Sequence, residues 1–184
     1  QMCIRDRDKS FENCVLMPGL VEGHSHLFEG ALWSKLYCGY FDRQKPDGIM
    51  SLGIKNVKEL VQKLKQEHEK LLDPNEPLAG WGLDPIYFDD KKLDREILDV
   101  LSDQRPIGIL HASGHKLNIN SVGLKLAGFL RTGINHEGLP LGDDGLPSGE
   151  IRGAEAIALV TKHVGLGKDW LSGEAEGLRN FGKI

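Results

Sequence analysis

The sequence predicts an α/β fold. Two observations carry that prediction. Strand-length apolar stretches recur at 20–26, 78–82 and 107–112, and amphipathic helical stretches lie between and after them at 56–72, 94–101 and 150–165. That alternation of period two and period 3.6 argues for helices packed on a sheet. A length of 184 residues, 40% hydrophobic and 27% charged, suits one globular unit with a buried core.

The elements follow in chain order. Residues 11–17, FENCVLM, read as a short strand, which Pro18-Gly19 ends. Residues 20–26, LVEGHSH, read as the next strand. Residues 28–36 open like a helix, and the Gly, Tyr and Pro content through Pro46 turns the chain irregular. No period assigns 39–55. The strongest helix is 56–72: Asn56 can cap it, Glu59 stands at the capping-box position, and Val57, Leu60, Val61, Leu64 and Leu71 form its apolar stripe. LAGWG at 78–82 is a strand, and 94–101 is a helix with Ile97, Leu98 and Leu101 on one side. IGILHA at 107–112 is the clearest strand. SGHKLNIN at 113–120 leads into a short helix that Asn120 could cap and Gly128 could close. Residues 131–149, rich in Gly, Pro, Asn and Asp, form a long loop. Residues 150–165 and 169–182 read as two further helices.

Composition narrows the partners. Lys and Arg number 23 against 27 Asp and Glu, a net charge of −4, which offers nucleic acid no basic surface. No apolar run approaches the ~20 residues that span a membrane. The three cysteines, Cys3, Cys14 and Cys38, make no regular framework and no thiolate zinc motif, which fits a reducing, cytoplasmic setting. The Gly-rich 138–149 lacks the strand–loop–helix phosphate pattern.

The stretch that points to chemistry is PGLVEGHSH, 18–26. Alternate residues of a strand share a face, so Glu22, His24 and His26 project together. Two neutral imidazole nitrogens converging there can chelate a divalent transition metal, typically Zn²⁺. Glu22 could orient one imidazole by accepting its second N–H; its plainer role is a solvated strand-edge charge. Taken alone, the spacing leaves metal binding and two satisfied core histidines both open.

PGLVEGHSH resembles the first-strand signature of the amidohydrolase superfamily, with Glu22 where members usually carry Asp. LAGWGLD (78–84), LDREILDVLSDQRPIGIL (93–110), SGHKLNINSVGLKLAGF (113–129) and GLPSGEIRGAEAIALV (145–160) resemble, in order and spacing, the YtcJ-like "amidohydrolase 3" branch. The resemblance implies a partial (β/α)8 metal-dependent hydrolase barrel, represented by its first strand, with an inserted α/β subdomain. It implies that 8–17 are a remnant of an N-terminal β-sandwich and that 18–184 are the N-terminal part of the amidohydrolase domain. Residues 1–7, QMCIRDR, resemble a translated-adapter peptide and read as a non-native leader. A complete barrel takes roughly 250 residues, so the remaining ligands and the general base, an aspartate, are expected beyond residue 184, and the chain alone is expected to be inactive. The implied chemistry is hydrolysis of a non-peptide C–N bond in a small amide-type substrate by metal-activated water. The branch often has Glu at the position of Gly153; here the nearest acids are Glu150 and Glu155.

Other residues carry plainer readings beside functional ones. His115 and Asp84 are candidate substrate contacts, and a local main-chain hydrogen bond is the alternative for His115. Trp81 and His111 read as core residues, His68 as solvated and Asn120 as a cap. His163 lies at a helix end that favours a cation. His136 has no assignment. Two rival functions stay open: a non-catalytic α/β binding module, and a phosphoesterase built on the same His pair.

Overall fold

The computed structural model describes residues 9–19, 29–88, 92–167 and 175–183. Its centre is a five-stranded mixed sheet ordered β1-β4-β5-β6-β7. The strands are β1 (Leu36–Tyr37), β4 (Leu78–Leu83), β5 (Ile107–His111), β6 (Lys116–Ile119) and β7 (Glu150–Arg152). β1, β4 and β5 run parallel, whereas β6 and β7 add antiparallel. A separate antiparallel ribbon joins β2 (Arg43–Gln44) to β3 (Met50–Ser51), within the stretch that no sequence period assigns.

Each face of the sheet carries its own core. On one side lie α2 (Val57–His68) and α3 (Arg95–Asp99). Their Leu60, Leu64 and Leu98 are fully buried with Leu78, Ile107 and Ile109. On the other side, α4 (Ser121–Leu126) and α5 (Ala154–Val160) bring Leu124, Ile157 and Val160 onto Trp81, Leu110, Leu117 and Ile119. The strand alternation divides β5 accordingly, Ile107 and Ile109 to one core and Leu110 to the other. A first short helix, α1 (Glu29–Leu32), packs against α6 (Ala175–Phe181), where Gly30 and Gly177 meet backbone to backbone.

The helix signals hold locally. Asn56 Oδ1 accepts from Glu59 N at 2.9 Å, and the Glu59 carboxylate reaches back to Lys55 N at 2.8 Å, a capping box displaced by one residue. Asp94 caps α3 through Ile97 N, and Asn120 caps α4 through Gly123 N.

Several expectations are corrected. Residues 11–14 form a turn closed by Cys14 N–H to Phe11 C=O, and no strand is formed over 11–17. The lead-in over 113–120 is half strand: a turn after His111 sends the chain back as β6, which pairs with β5. Residues 150–165 are not one helix. Gly153 sits at φ +82°, open to glycine and strained for other residues, and it separates β7 from α5. A 3₁₀ turn, Thr161–His163, then ends the helical run. The loop 131–149 does lack regular structure apart from one bridge, Leu141 to Pro147. Arg95 ties that loop down: its Nε donates to Pro147 C=O at 2.9 Å, its backbone N–H bonds Ser148 C=O, and its guanidinium pairs with Asp144.

His68 is not simply solvated. Its Nδ1 accepts from Arg105 Nε at 2.9 Å. Arg105 is only 2% exposed and spends its other nitrogens on the carbonyls of Leu71 and Glu76, just past the carboxyl end of α2. A buried guanidinium matched by three acceptors locks α2 to the entry of β5. Arg105→Met strands those acceptors, and a loss of about 2–4 kcal/mol is expected in urea unfolding of the chain. A change below about 0.5 kcal/mol contradicts this role.

Candidate functional site

Glu22, His24 and His26 lie outside the described residues. Among the described residues, no group of three or more His, Cys, Asp or Glu is placed to hold a metal ion.

The other predicted residues collect at the carboxyl ends of β4 and β5. Asp84 follows β4 and caps a 3₁₀ turn, Pro85–Tyr87, by accepting from Ile86 N at 3.2 Å. His115 sits exposed in the turn between β5 and β6, where its C=O accepts from Gly153 N at 2.9 Å. Its side chain enters no hydrogen bond among the described residues. The two are therefore on one end of the sheet, although Asp84 is committed to a cap.

At the same end, lined by neither of them, the structure builds a site that sequence reasoning missed. The cross-strand register sets Ile109 opposite Asn118 and Asn118 opposite Glu150. Residues directly opposite share a face, so His111, two residues beyond Ile109, shares it too. The apolar face beneath α2 and α3 thus turns polar toward the end of β5 and across β6 and β7. His111, Asn118 and Glu150 floor a cavity of 250 Å³ there, with Lys92 and Lys116 around it and Pro85, Ile86 and Leu93 as an apolar wall. A second cavity of 400 Å³ shares Lys92, Leu93 and Glu150 and extends to Arg95 and Arg152.

The floor is fixed by one amide. Asn118 is 2% exposed; its Nδ2 donates to Leu93 C=O, and its Oδ1 lies 2.5 Å from His111 Nε2. Turning the amide over would set Oδ1 against a carbonyl, two acceptors face to face. The orientation is therefore determined, and His111 must carry its proton on Nε2. Nδ1 keeps its lone pair, with no partner among the described residues. Burial pushes the His111 pKa down, against the Asn118 bond and the charges of Glu150 and Asp84, which favour the imidazolium. Burial pushes the Glu150 carboxyl up, but its bond to Arg152 and the charges of Arg152 and Lys116 outweigh this and hold it below the ordinary range.

His163 does not behave as a helix-end cation. Partial burial, and then Lys162 beside it, lower its pKa. His136 is exposed in the long loop and closes a turn, Nδ1 accepting from Gly138 N at 3.0 Å. Trp81 is core, 3% exposed and edge-on to Trp33 and Tyr37 at 5.0 and 5.2 Å. Arg43 lies 5.7 Å and 5.8 Å from the ring centroids of Trp33 and Trp81 and pairs with Glu29. Cys38 is buried, which pushes its thiol up to about 12, so it is no nucleophile at neutral pH. A larger cavity, 630 Å³, opens between Lys35, Lys63 and Lys70, and neither Asp84 nor His115 lines it.

Comparison with known proteins decides the family. The model of the amidohydrolase family matches residues 11–176, nearly the whole chain. The chain belongs to the amidohydrolase family. The chain is 28% identical over 160 residues to Protein LONG AFTER FAR-RED 3 of Arabidopsis thaliana, covering 84% of this chain and 24% of that protein. It is 27% identical over 130 residues to the putative amidohydrolase YtcJ of Bacillus subtilis strain 168, covering 70% of this chain and 22% of the relative. The chain thus spans about a quarter of the length of these two relatives. The fold is similar to that of an uncharacterized metal-dependent hydrolase from Pyrococcus horikoshii OT3, with a TM-score of 0.51 at 16% identity, over 86% of this chain and 26% of that one.

The buried imidazole gives a signed pH dependence. Its folded pKa lies below the ordinary 6.5, so the unfolded chain takes up the proton first on acidification. The stability this group contributes is present above 6.5 and is lost as pH falls from there through the folded value. His111→Gln, which can still donate to Asn118, is expected to flatten the decline of the urea midpoint between about pH 7 and pH 5. Parallel decline in the two proteins contradicts the assignment.

Proposed function

We propose that the chain is part of a metal-dependent amidohydrolase that cleaves a non-peptide C–N bond of a small amide-type substrate. The observation that carries the reading is the family match over 11–176, which runs through the His pair and across the α/β region that follows it. In this reading His24 and His26 hold the ion from the end of the first strand of a (β/α)8 barrel, and the sheet described above is the subdomain inserted after that strand. Two neutral imidazoles suit Zn²⁺ among the biological divalent ions. Such an ion, when bound, supplies a water acidified toward neutrality and a polarised carbonyl.

The chain's own residues have narrower tasks. Glu22 accepts the second N–H of one ligand imidazole and fixes which nitrogen faces the metal. Asp84 and His115, on one end of the inserted sheet, are the candidate contacts to substrate; His115 has the uncommitted side chain of the two. The activity is proposed for the whole protein, because the chain spans about a quarter of its relatives.

Metal analysis tests the reading. The protein exchanged into metal-free buffer and reloaded with Zn²⁺ is expected to retain zinc through gel filtration, and His24→Ala with His26→Ala to reduce retained zinc at least about tenfold. Equal zinc content in the two proteins, both folded by circular dichroism, contradicts it.

A further inference from the structure

We propose that the cavity floored by His111, Asn118 and Glu150 binds a small organic carboxylate that carries a hydrogen-bond donor beside its acid group, an α-hydroxy acid being the simplest case. The assignment goes beyond the metal-hydrolase reading and does not rest on it, since every group it uses lies on β5, β6, β7, the turn after β4 or the segment before α3.

The charges point to an anion. Lys92 and Lys116 line the cavity, and Arg152 stands beside it on β7. Lys92 makes no ion pair among the described residues, and Lys116 Nζ stands 3.7 Å from Glu150, too far for a hydrogen bond. Among the described residues Glu150 in the floor and Asp84 nearby oppose them, and both are engaged; Asp94, Glu96 and Asp143 line only the adjoining cavity. Glu150 is bonded to Arg152 Nε, and Asp84 caps the turn at Ile86. Among the described residues neither lysine, both exposed, has a hydrogen-bonded acceptor, and Lys116 has only its long ion pair to Glu150; a carboxylate supplies the closer partner.

The histidine adds a second demand. Asn118 consumes the Nε2 proton of His111 and leaves Nδ1 as an acceptor at the cavity floor. His111 is 6% exposed as a whole, and Nδ1 is not one of the fully buried unpartnered atoms, so that lone pair keeps some access to water or to a ligand. A ligand that displaces water from this acceptor must offer it a donor in return. A bare carboxylate has none; a hydroxyl or N–H on the adjacent carbon does. The wall of Pro85, Ile86 and Leu93 then takes an aliphatic tail. The volume, 250 Å³, lies just under the range of about 300–1,000 Å³ for drug-sized ligands, so the molecule is smaller than those. The floor groups sit on paired strands and are held by an amide bonded at both its oxygen and its nitrogen, so the floor itself needs little ordering on binding.

Side-chain NMR of His111 in the isotope-labelled 184-residue chain tests this directly. Four probes are titrated at equal ionic strength: 2-hydroxy-4-methylpentanoate, 4-methylpentanoate, 4-methylpentanamide and inorganic phosphate. The hydroxy acid is expected to shift the His111 signals saturably, and the deoxy acid to bind about fivefold more weakly, the worth of one hydrogen bond. The amide and phosphate are expected not to saturate over the same range. Lys92→Gln with Lys116→Gln should weaken the hydroxy acid about tenfold while the unliganded His111 ring keeps its Nε2-protonated form, which reports an intact floor. The proposal is overturned if no acid perturbs His111, if the amide or phosphate binds as the hydroxy acid does, or if the lysine variant binds unchanged. Equal affinity for the two acids removes the histidine from the assignment.

Discussion

Two asparagine amides on and just after one short strand hold this structure to its geometry. Asn118 and Asn120 are 2% and 0% exposed, in the middle of a sheet whose neighbouring positions are leucine and isoleucine. A buried amide costs stability unless its oxygen and nitrogen both find partners. Asn120 accepts from Ile107 N and Gly123 N, both at 3.0 Å, and donates to Arg105 C=O at 2.9 Å. It joins the start of β5 to the first turn of α4. Asn118 joins the end of β5 to the segment before α3. β6 can therefore sit in only one register against β5. That register puts Glu150 beside Asn118 and His111 on the same face.

The functional consequence is a sheet face of two characters. Under α2 and α3 it is apolar and closed. Past Ile109 it carries an imidazole, an amide and a carboxylate, and the chain leaves room above them. Arg95 stabilises the rim by pinning the long loop through Pro147 and Ser148. The family assignment concerns the whole chain, whereas this polar end is a property of the sheet alone.

Much of the fold was legible in the residues. The Asn56–Glu59 box, the Asn120 cap and the core position of Trp81 are local facts, decided within four residues or by a large apolar side chain. The errors are of another kind. KLNI at 116–119 is too short and too close to Ser113-Gly114-His115 to announce a strand, and only pairing with β5 makes it one. The run 150–165 has helical period throughout; the left-handed backbone at Gly153, fixed by its bond to His115 C=O, breaks it. His68 read as solvent-facing because its helix is charged, yet the buried arginine it meets lies 37 residues on. The missed floor residues have the same cause. Nothing in the spacing of His111, Asn118 and Glu150 places them together, because a register shift of one residue would send Asn118 to the opposite face. The clue available beforehand was an asparagine alternating with Leu117 and Ile119, a polar group due to be buried and so due to have partners.

The claim beneath the rest is that Asn118 fixes His111 as a neutral, Nε2-protonated imidazole. Nitrogen-15 NMR of the His111 ring at about pH 7.5 measures this directly. A protonated-nitrogen signal at Nε2 and an acceptor signal at Nδ1, with the order lost in Asn118→Leu, is the predicted result. An Nδ1-protonated ring, or an imidazolium at that pH, contradicts the account.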